Sequence, residues 1–249
     1  MDAEEGLSRL RALGFSDADA AALWAHFDDA ERRGKPSHGH ARIPWLERFE
    51  GFDPRAEPQL LESEDGFERW EAGGAVGYLV LARVVERQLA SPPARARLVV
   101  CERTFPTGVL GHHVRRLAEG GLVGAVTATS PRRLAHPDGG PKLTGTNPLA
   151  LAIPSSEGDP VVADVSMGAV TWGDVIAGRA TEDELVPFGG ASAHKAFALA
   201  VGLQLFVDAF LRERSYGAVL LAARPESDPV PAFRRLAAGT RLPGDGPAK

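Results

Sequence analysis

Between Gly34 and Trp45 the chain reads GKPSHGHARIPW, which places Ser37, His38, His40 and Arg42 within six positions. Arginine offers a planar fork of donors that matches a carboxylate, and histidine titrates near neutrality. Together these types offer a fork for a carboxylate at Arg42 and a titratable donor at His38 beside it. Ser37 and His40 would add hydrogen bonds to the same ligand. A purely local reading is also open, with Arg42 paired to Glu47 and His38 capping backbone groups.

Three further sets of residues carry the same ambiguity. His112 and His113 open the helical segment GHHVRRLAEGG. A helix N-terminus lowers a histidine pKa, so either ring suits acid–base work, or both merely cover the helix start. Lys195 follows His194 at the start of a long apolar segment, where a helix N-terminus favours anions. Its bland reading is a solvated lysine. Asp164 and Ser166, in ADVS, are either ligand contacts or a strand-end cap. No His, Asp or Cys set has metal-ligand spacing, so no metal is expected.

The elements that must position these residues alternate. Helices are expected over 4–33, with Ser16 or Asp17 as a cap, ending at Gly34 and Pro36. A polar, Pro-containing stretch follows to about residue 72. A helix is expected over 73–90, strands over 96–101 and 122–130, and a helix between them from Gly111. A long loop then reaches Pro148. Strands LALAIP and PVVADVS follow, then a helix over 192–214 and a strand over 216–223. Strands alternating with helices indicate an α/β fold around a largely buried sheet. Neither Gly-x-Gly-x-x-Gly nor a Walker lysine is present.

The chain has 249 residues, enough for one large domain, and a net charge of −5 with basic and acidic residues interleaved. That balance argues against nucleic-acid or anionic-membrane partners. The single cysteine, Cys101, excludes an internal disulfide. The acidic, amphipathic N-terminus lacks an apolar signal core, and the apolar run 196–210 reads as too short for a bilayer span. A cytoplasmic protein is expected.

The blocks SHGHARIPW, GLVGAVTATSP, GGPKLTGTNPLALAIP, VVADVS, PFGG…HKAFALAVGLQLF and AGTRLPGD occur in that order between residues 37 and 245. Together they resemble the type-2 malate/L-lactate dehydrogenase family, which includes ureidoglycolate and sulfolactate dehydrogenases and cyclic-imine reductases. The resemblance implies a three-layer α/β/α, non-Rossmann fold. It implies a single domain over 1–249 whose first 72 residues form a helical N-terminal portion. It further implies a homodimer, or a heterodimer with a related subunit, with active sites at the interface. By the same resemblance Arg42 binds the substrate carboxylate, while Ser130, Thr146, Asn147, Asp164 and Ser166 fall on the cofactor side.

Three departures stand out. The family's Ser-Asn-His-Phe-Gly corresponds to TFPTG, so Pro106 occupies the place of the histidine that exchanges a proton with the substrate. Proline can neither give nor take a proton. Several tens of family residues are missing around Met167–Val186, and Gly-Gly-x-Lys-Gly-x-Gly becomes GGASAHKAFA. All three fall on hydride transfer or cofactor enclosure. The leading expectation is therefore non-redox acid–base chemistry, an elimination or a ring closure on a carboxylate-bearing amino-acid-derived substrate, with no cofactor. The alternative is an NAD- or NADP-dependent reductase of a 2-oxo acid or cyclic imine, in which His38, His112 or His113 supplies the proton. A second alternative is a non-catalytic subunit partnering a full-length paralogue.

Overall fold

In the computed structural model, which describes residues 1–246, one sheet organises the chain. Its seven strands are β1 (Gln59–Glu64), β2 (Phe67–Glu71), β3 (Ala96–Glu102), β4 (Val123–Ala128), β5 (Leu149–Ile153), β6 (Val161–Val165) and β7 (Ala218–Ala223). They lie in the order β1-β2-β3-β7-β4-β5-β6. Only β2 and β3 run parallel, and every other neighbouring pair is antiparallel.

Helices α1 (Ala3–Ala12) and α2 (Asp17–Arg32) form where expected, and the Ser16 side chain caps α2 by accepting from the Asp19 amide. After them come α3 (Arg42–Leu46), α4 (Gly77–Ala90) and α5 (Leu110–Glu119). The chain closes with α6 (Trp172–Ile176), α7 (Ala193–Asp208) and α8 (Val230–Ala237). On one sheet face α4 and α5 bury Val80, Val84, Leu110, Val114 and Leu117 against Val126, Ala150 and Leu220. Each such aliphatic side chain contributes roughly 1.5–3 kcal/mol of burial. The neighbouring side chain Leu149 points to the opposite face and packs with Ala200 and Leu203 of α7.

Two expectations need correction. The first 72 residues are helical only as far as Leu46, because residues 59–71 form a hairpin at the edge of the main sheet. The hairpin is legible only in three dimensions: Glu68 is fully buried, yet its carboxylate accepts from Arg87, Gln88 and Trp70. The second concerns α7 with the turn before it. Gly190–Asp208 is long and apolar enough, by length and composition, to cross a membrane. Here it lies along the sheet with Leu199, Leu205 and Phe206 exposed.

Candidate active site

Helix α2 ends at Arg32, the chain turns at Gly34, and a 3-10 turn, Pro36–His38, precedes α3, which begins at Arg42. Arg42 is buried, its Nε has no partner, and its guanidinium carbon sits 5.2 Å from the centroid of the Trp45 ring. Glu47 does not pair with it. That carboxylate receives Arg9 Nε and Nη2 at 2.7 and 2.6 Å, so the local reading of Arg42 fails.

Burial, reinforced by Arg42, pushes the His38 pKa down to about 3. Its ring is therefore neutral at pH 7, with Nδ1 3.2 Å from Ser37 Oγ. Asp174, in the first turn of α6, is pushed up by burial but held below the usual carboxylate range by its hydrogen bonds with Thr171. Gly173 beside it leaves room for the arginine.

These residues form one wall of a cleft of about 560 Å³. The remaining walls include Tyr78, Pro106, Thr107, Ser130, Arg133, Thr146, Asp164 and Ser166. Lys35 Nζ donates to Asp164 Oδ2 at 2.6 Å. Gly111 permits that carboxylate its place, since a Cβ there would stand 2.9 Å from Asp164 Oδ2. Arg133 lies flat on Trp172, its guanidinium carbon 3.4 Å from the ring centroid. Tyr78 Oη is buried without a hydrogen-bond partner, and burial raises the phenol pKa.

Of the residues singled out in sequence, Ser37, His38, Arg42, Ser130, Thr146, Asp164 and Ser166 meet at this cleft. Others do not. His40 turns away, stacked on Trp24 at 4.6 Å and 3.4 Å from Asp28. His112 and His113 sit on the α2 side of α5. His112 Nδ1 is 3.0 Å from Asp29 Oδ2, and His113 is packed 5.0 Å from the His26 ring. Burial holds both His113 and His26 well below the ordinary histidine pKa. Neither His112 nor His113 lines the cleft beside Pro106.

Asn147 is wholly buried, donating to Ala200 O and Gln204 Oε1, both at 3.1 Å. Lys195 is exposed on α7 and takes no part in the cleft wall. Lys35, Trp45, Tyr78, Arg133, Trp172 and Asp174 are lining residues that sequence reasoning overlooks.

Comparison with known proteins bears on what such a cleft does. The family described as malate/L-lactate dehydrogenase matches residues 6–195. The chain belongs to the malate/L-lactate dehydrogenase family. Among similar proteins is the NADP(+)-dependent (2R)-3-sulfolactate dehydrogenase of Chromohalobacter salexigens, 33% identical over 190 residues. That match takes in 74% of this chain and 56% of the relative. The Δ1-pyrroline-2-carboxylate/Δ1-piperideine-2-carboxylate reductase of Pseudomonas putida is 30% identical over 234 residues, covering 79% and 65% of the two chains. The dehydrogenase-family chain thus spans under two thirds of the length of these relatives.

The fold is shared with the Δ1-piperideine-2-carboxylate reductase of Pseudomonas syringae, at a TM-score of 0.80 and 23% identity over 96% of this chain and 88% of that one. These relatives are dehydrogenases and reductases. They overturn the expectation of cofactor-free, non-redox elimination or ring closure. Physically, Pro106 removes one proton donor from the cleft wall, while the cations Lys35, Arg42 and Arg133 still line it.

Proposed function

We propose that this protein is a nicotinamide-dependent reductase of a small 2-oxo acid or cyclic-imine carboxylate, and works in the cytoplasm. The observation that carries this reading is Arg42, a buried guanidinium on the cleft wall with no carboxylate partner among the described residues. An unpaired buried charge is costly, so such a site favours an anionic ligand that completes it. A substrate carboxylate on the fork of Arg42 would bring the adjacent oxo or imine carbon toward the middle of the cleft.

The cleft also suits a phosphate-bearing cofactor. Arg133 and Arg179 line it without ion-pair partners among the described residues, beside the hydroxyls of Ser130, Thr146 and Ser166. Those five residues would hold NADH or NADPH, which supplies hydride when bound. The chain's own groups orient the substrate and exclude water: Arg42 by charge, His38 as a neutral hydrogen-bonding ring, and Trp45 and Phe105 as apolar walls.

The reading extends to a homodimer. Leu151 and Leu221 flank Ala125 in register on the sheet face opposite α5, both exposed, near the exposed apolar side of α7. A contiguous apolar surface of that kind favours a protein partner.

Calorimetry with NADH and with NADPH, followed by nicotinamide oxidation against pyruvate, oxaloacetate, 2-oxoglutarate and Δ1-piperideine-2-carboxylate, tests the proposal. Micromolar binding of one nicotinamide with turnover of one acid is expected. Absence of binding by both nicotinamides would overturn it.

A further inference from the structure

With Pro106 where the family's proton-exchanging histidine is expected, reduction of an oxo group needs its proton from elsewhere on the cleft wall. Three cleft groups are poorly placed for that task. His38 is a neutral ring whose Nδ1 is engaged with Ser37. Asp174 is ionised and clamped by Thr171. The Tyr78 hydroxyl bears a proton but has no open surface through which to deliver it.

Lys35 differs from all three. Its side chain is 40% exposed where it lines the cleft, and one of its three N–H groups is committed to Asp164 at 2.6 Å. Asp164 itself is 11% exposed at the end of β6 and abuts Gly111, so the acceptor is fixed while the ammonium keeps two donors free.

We propose that Lys35, oriented by Asp164, is the proton donor to the substrate's oxo oxygen. The proposal rests on the reductase reading. As the carbonyl carbon accepts hydride from a reduced nicotinamide, the C=O π pair moves onto oxygen and a C–H bond forms. That oxygen takes a proton from Lys35 Nζ, an N–H bond breaks, and a neutral amine remains beside Asp164. Water then reprotonates the amine. The products are a 2-hydroxy acid and an oxidised nicotinamide, so electrons and protons balance. Arg42 holds the carboxylate throughout. Asp164 is a positioning residue, keeping the ammonium on the cleft side instead of in bulk water.

The test uses the full chain and four forms of it: wild type, Lys35→Met, Lys35→Ala and Asp164→Asn. Lys35→Met is expected to lower kcat by about 10²–10⁴-fold, the usual worth of general acid catalysis, with KM changed only a few-fold. Added methylamine should restore turnover of Lys35→Ala in proportion to its concentration. Asp164→Asn should lower kcat with KM changed only a few-fold, a split that a merely structural role would not give. A readout without nicotinamide is oxamate affinity by calorimetry, where losing a donor to the carbonyl oxygen should weaken binding about 10-fold in Lys35→Met.

Near-wild-type kcat in Lys35→Met would overturn the proposal. So would a loss of activity that methylamine does not rescue, accompanied by unchanged oxamate affinity. Failure of the reductase reading looks different: the wild type itself would neither bind a nicotinamide nor reduce a 2-oxo acid.

Discussion

Gly173 packs directly against the Arg42 guanidinium: a Cβ built on it would stand 2.5 Å from Nη2 and 2.9 Å from His38 Cε1. The first turn of α6 is therefore the surface on which Arg42 rests. Thr171 and Asp174 form a capping box that fixes this turn.

Gly173→Ala keeps an ordinary helical φ, but its Cβ would stand 2.5 Å from Arg42 Nη2 and 2.9 Å from the Ser37 carbonyl oxygen, so it should displace Arg42 together with the Pro36–His38 turn. A shift of about 1 Å in a positioning group can cost about 10²-fold in turnover. The expected result is a rise in KM for the acid and a loss of kcat/KM of that order, with nicotinamide affinity unchanged. Calorimetry and steady-state kinetics read the two separately, and an unaltered KM would show that Arg42 does not depend on this floor.

Arg42→Ala should abolish most activity without destabilising the fold. Charge-assisted hydrogen bonds contribute about 1.5–3 kcal/mol each, so a bidentate carboxylate pair is worth at least about 10²-fold in affinity. The sequence suggests an exposed loop arginine, whereas the structure buries it. Removing an uncompensated buried charge should leave Tm equal or higher. Arg42→Lys should also perform poorly, because an ammonium lacks the fork. A large fall in Tm for the alanine variant would show that Arg42 has a structural partner instead.

The His26–His112–His113 cluster should make stability fall on mild acidification. Ring centroids in the cluster are 4.6–5.4 Å apart, and Asp29 is the acid paired with His112. Arg33 and Arg115 add positive charge nearby. Burial, reinforced by neighbouring His112, keeps His26 and His113 neutral in the folded state. In the unfolded chain they take up protons below about pH 6.5. The unfolded state then binds more protons, so stability is full above that pH and drops by about 1.4 kcal/mol per pH unit for each such histidine. Asp29 has its carboxyl pushed up by burial but held at about 2 by His112 and Arg33, so its contribution is lost only below its unfolded value of 3.8. Melting curves from pH 7.5 to 5 should show a steep decline that His113→Leu roughly halves. A flat profile would contradict the assignment.

Much of this architecture is readable in the sequence, and the exceptions have physical causes. Strands β3, β4, β5 and β7 announce themselves as short apolar runs such as ARLVVC and AVLLAA, because one sheet face packs on α4 and α5 and the other also carries apolar side chains, in part against α7. The β1–β2 hairpin does not, since its buried positions include Glu68 and Glu71, made tolerable by arginines distant in sequence. His112 and His113 illustrate a second limit. They do begin a helix, but α5 buries seven of its ten residues, so periodicity leaves its facing undecided. Lys35 carries no signal at all: it follows a helix end like any solvated lysine, and its partner Asp164 lies 129 positions away.

The apolar side of α7 gives the final prediction. Leu205 is 62% exposed and Leu199 52%, on a helix that few sequences would leave in water. On the same sheet face Leu151 and Leu221 stand either side of Ala125, 43% and 37% exposed. If a second copy covers this surface, charges placed there should separate the subunits while leaving each fold intact, because neither leucine supports the core. Leu199→Glu combined with Leu205→Glu should shift the protein from dimer to monomer in sedimentation at micromolar concentration, with far-UV circular dichroism unchanged. Should the cleft need the partner to close, turnover will fall in step with dissociation and recover as protein concentration rises. A wild type that sediments as a monomer under the same conditions would remove the homodimer from the proposal.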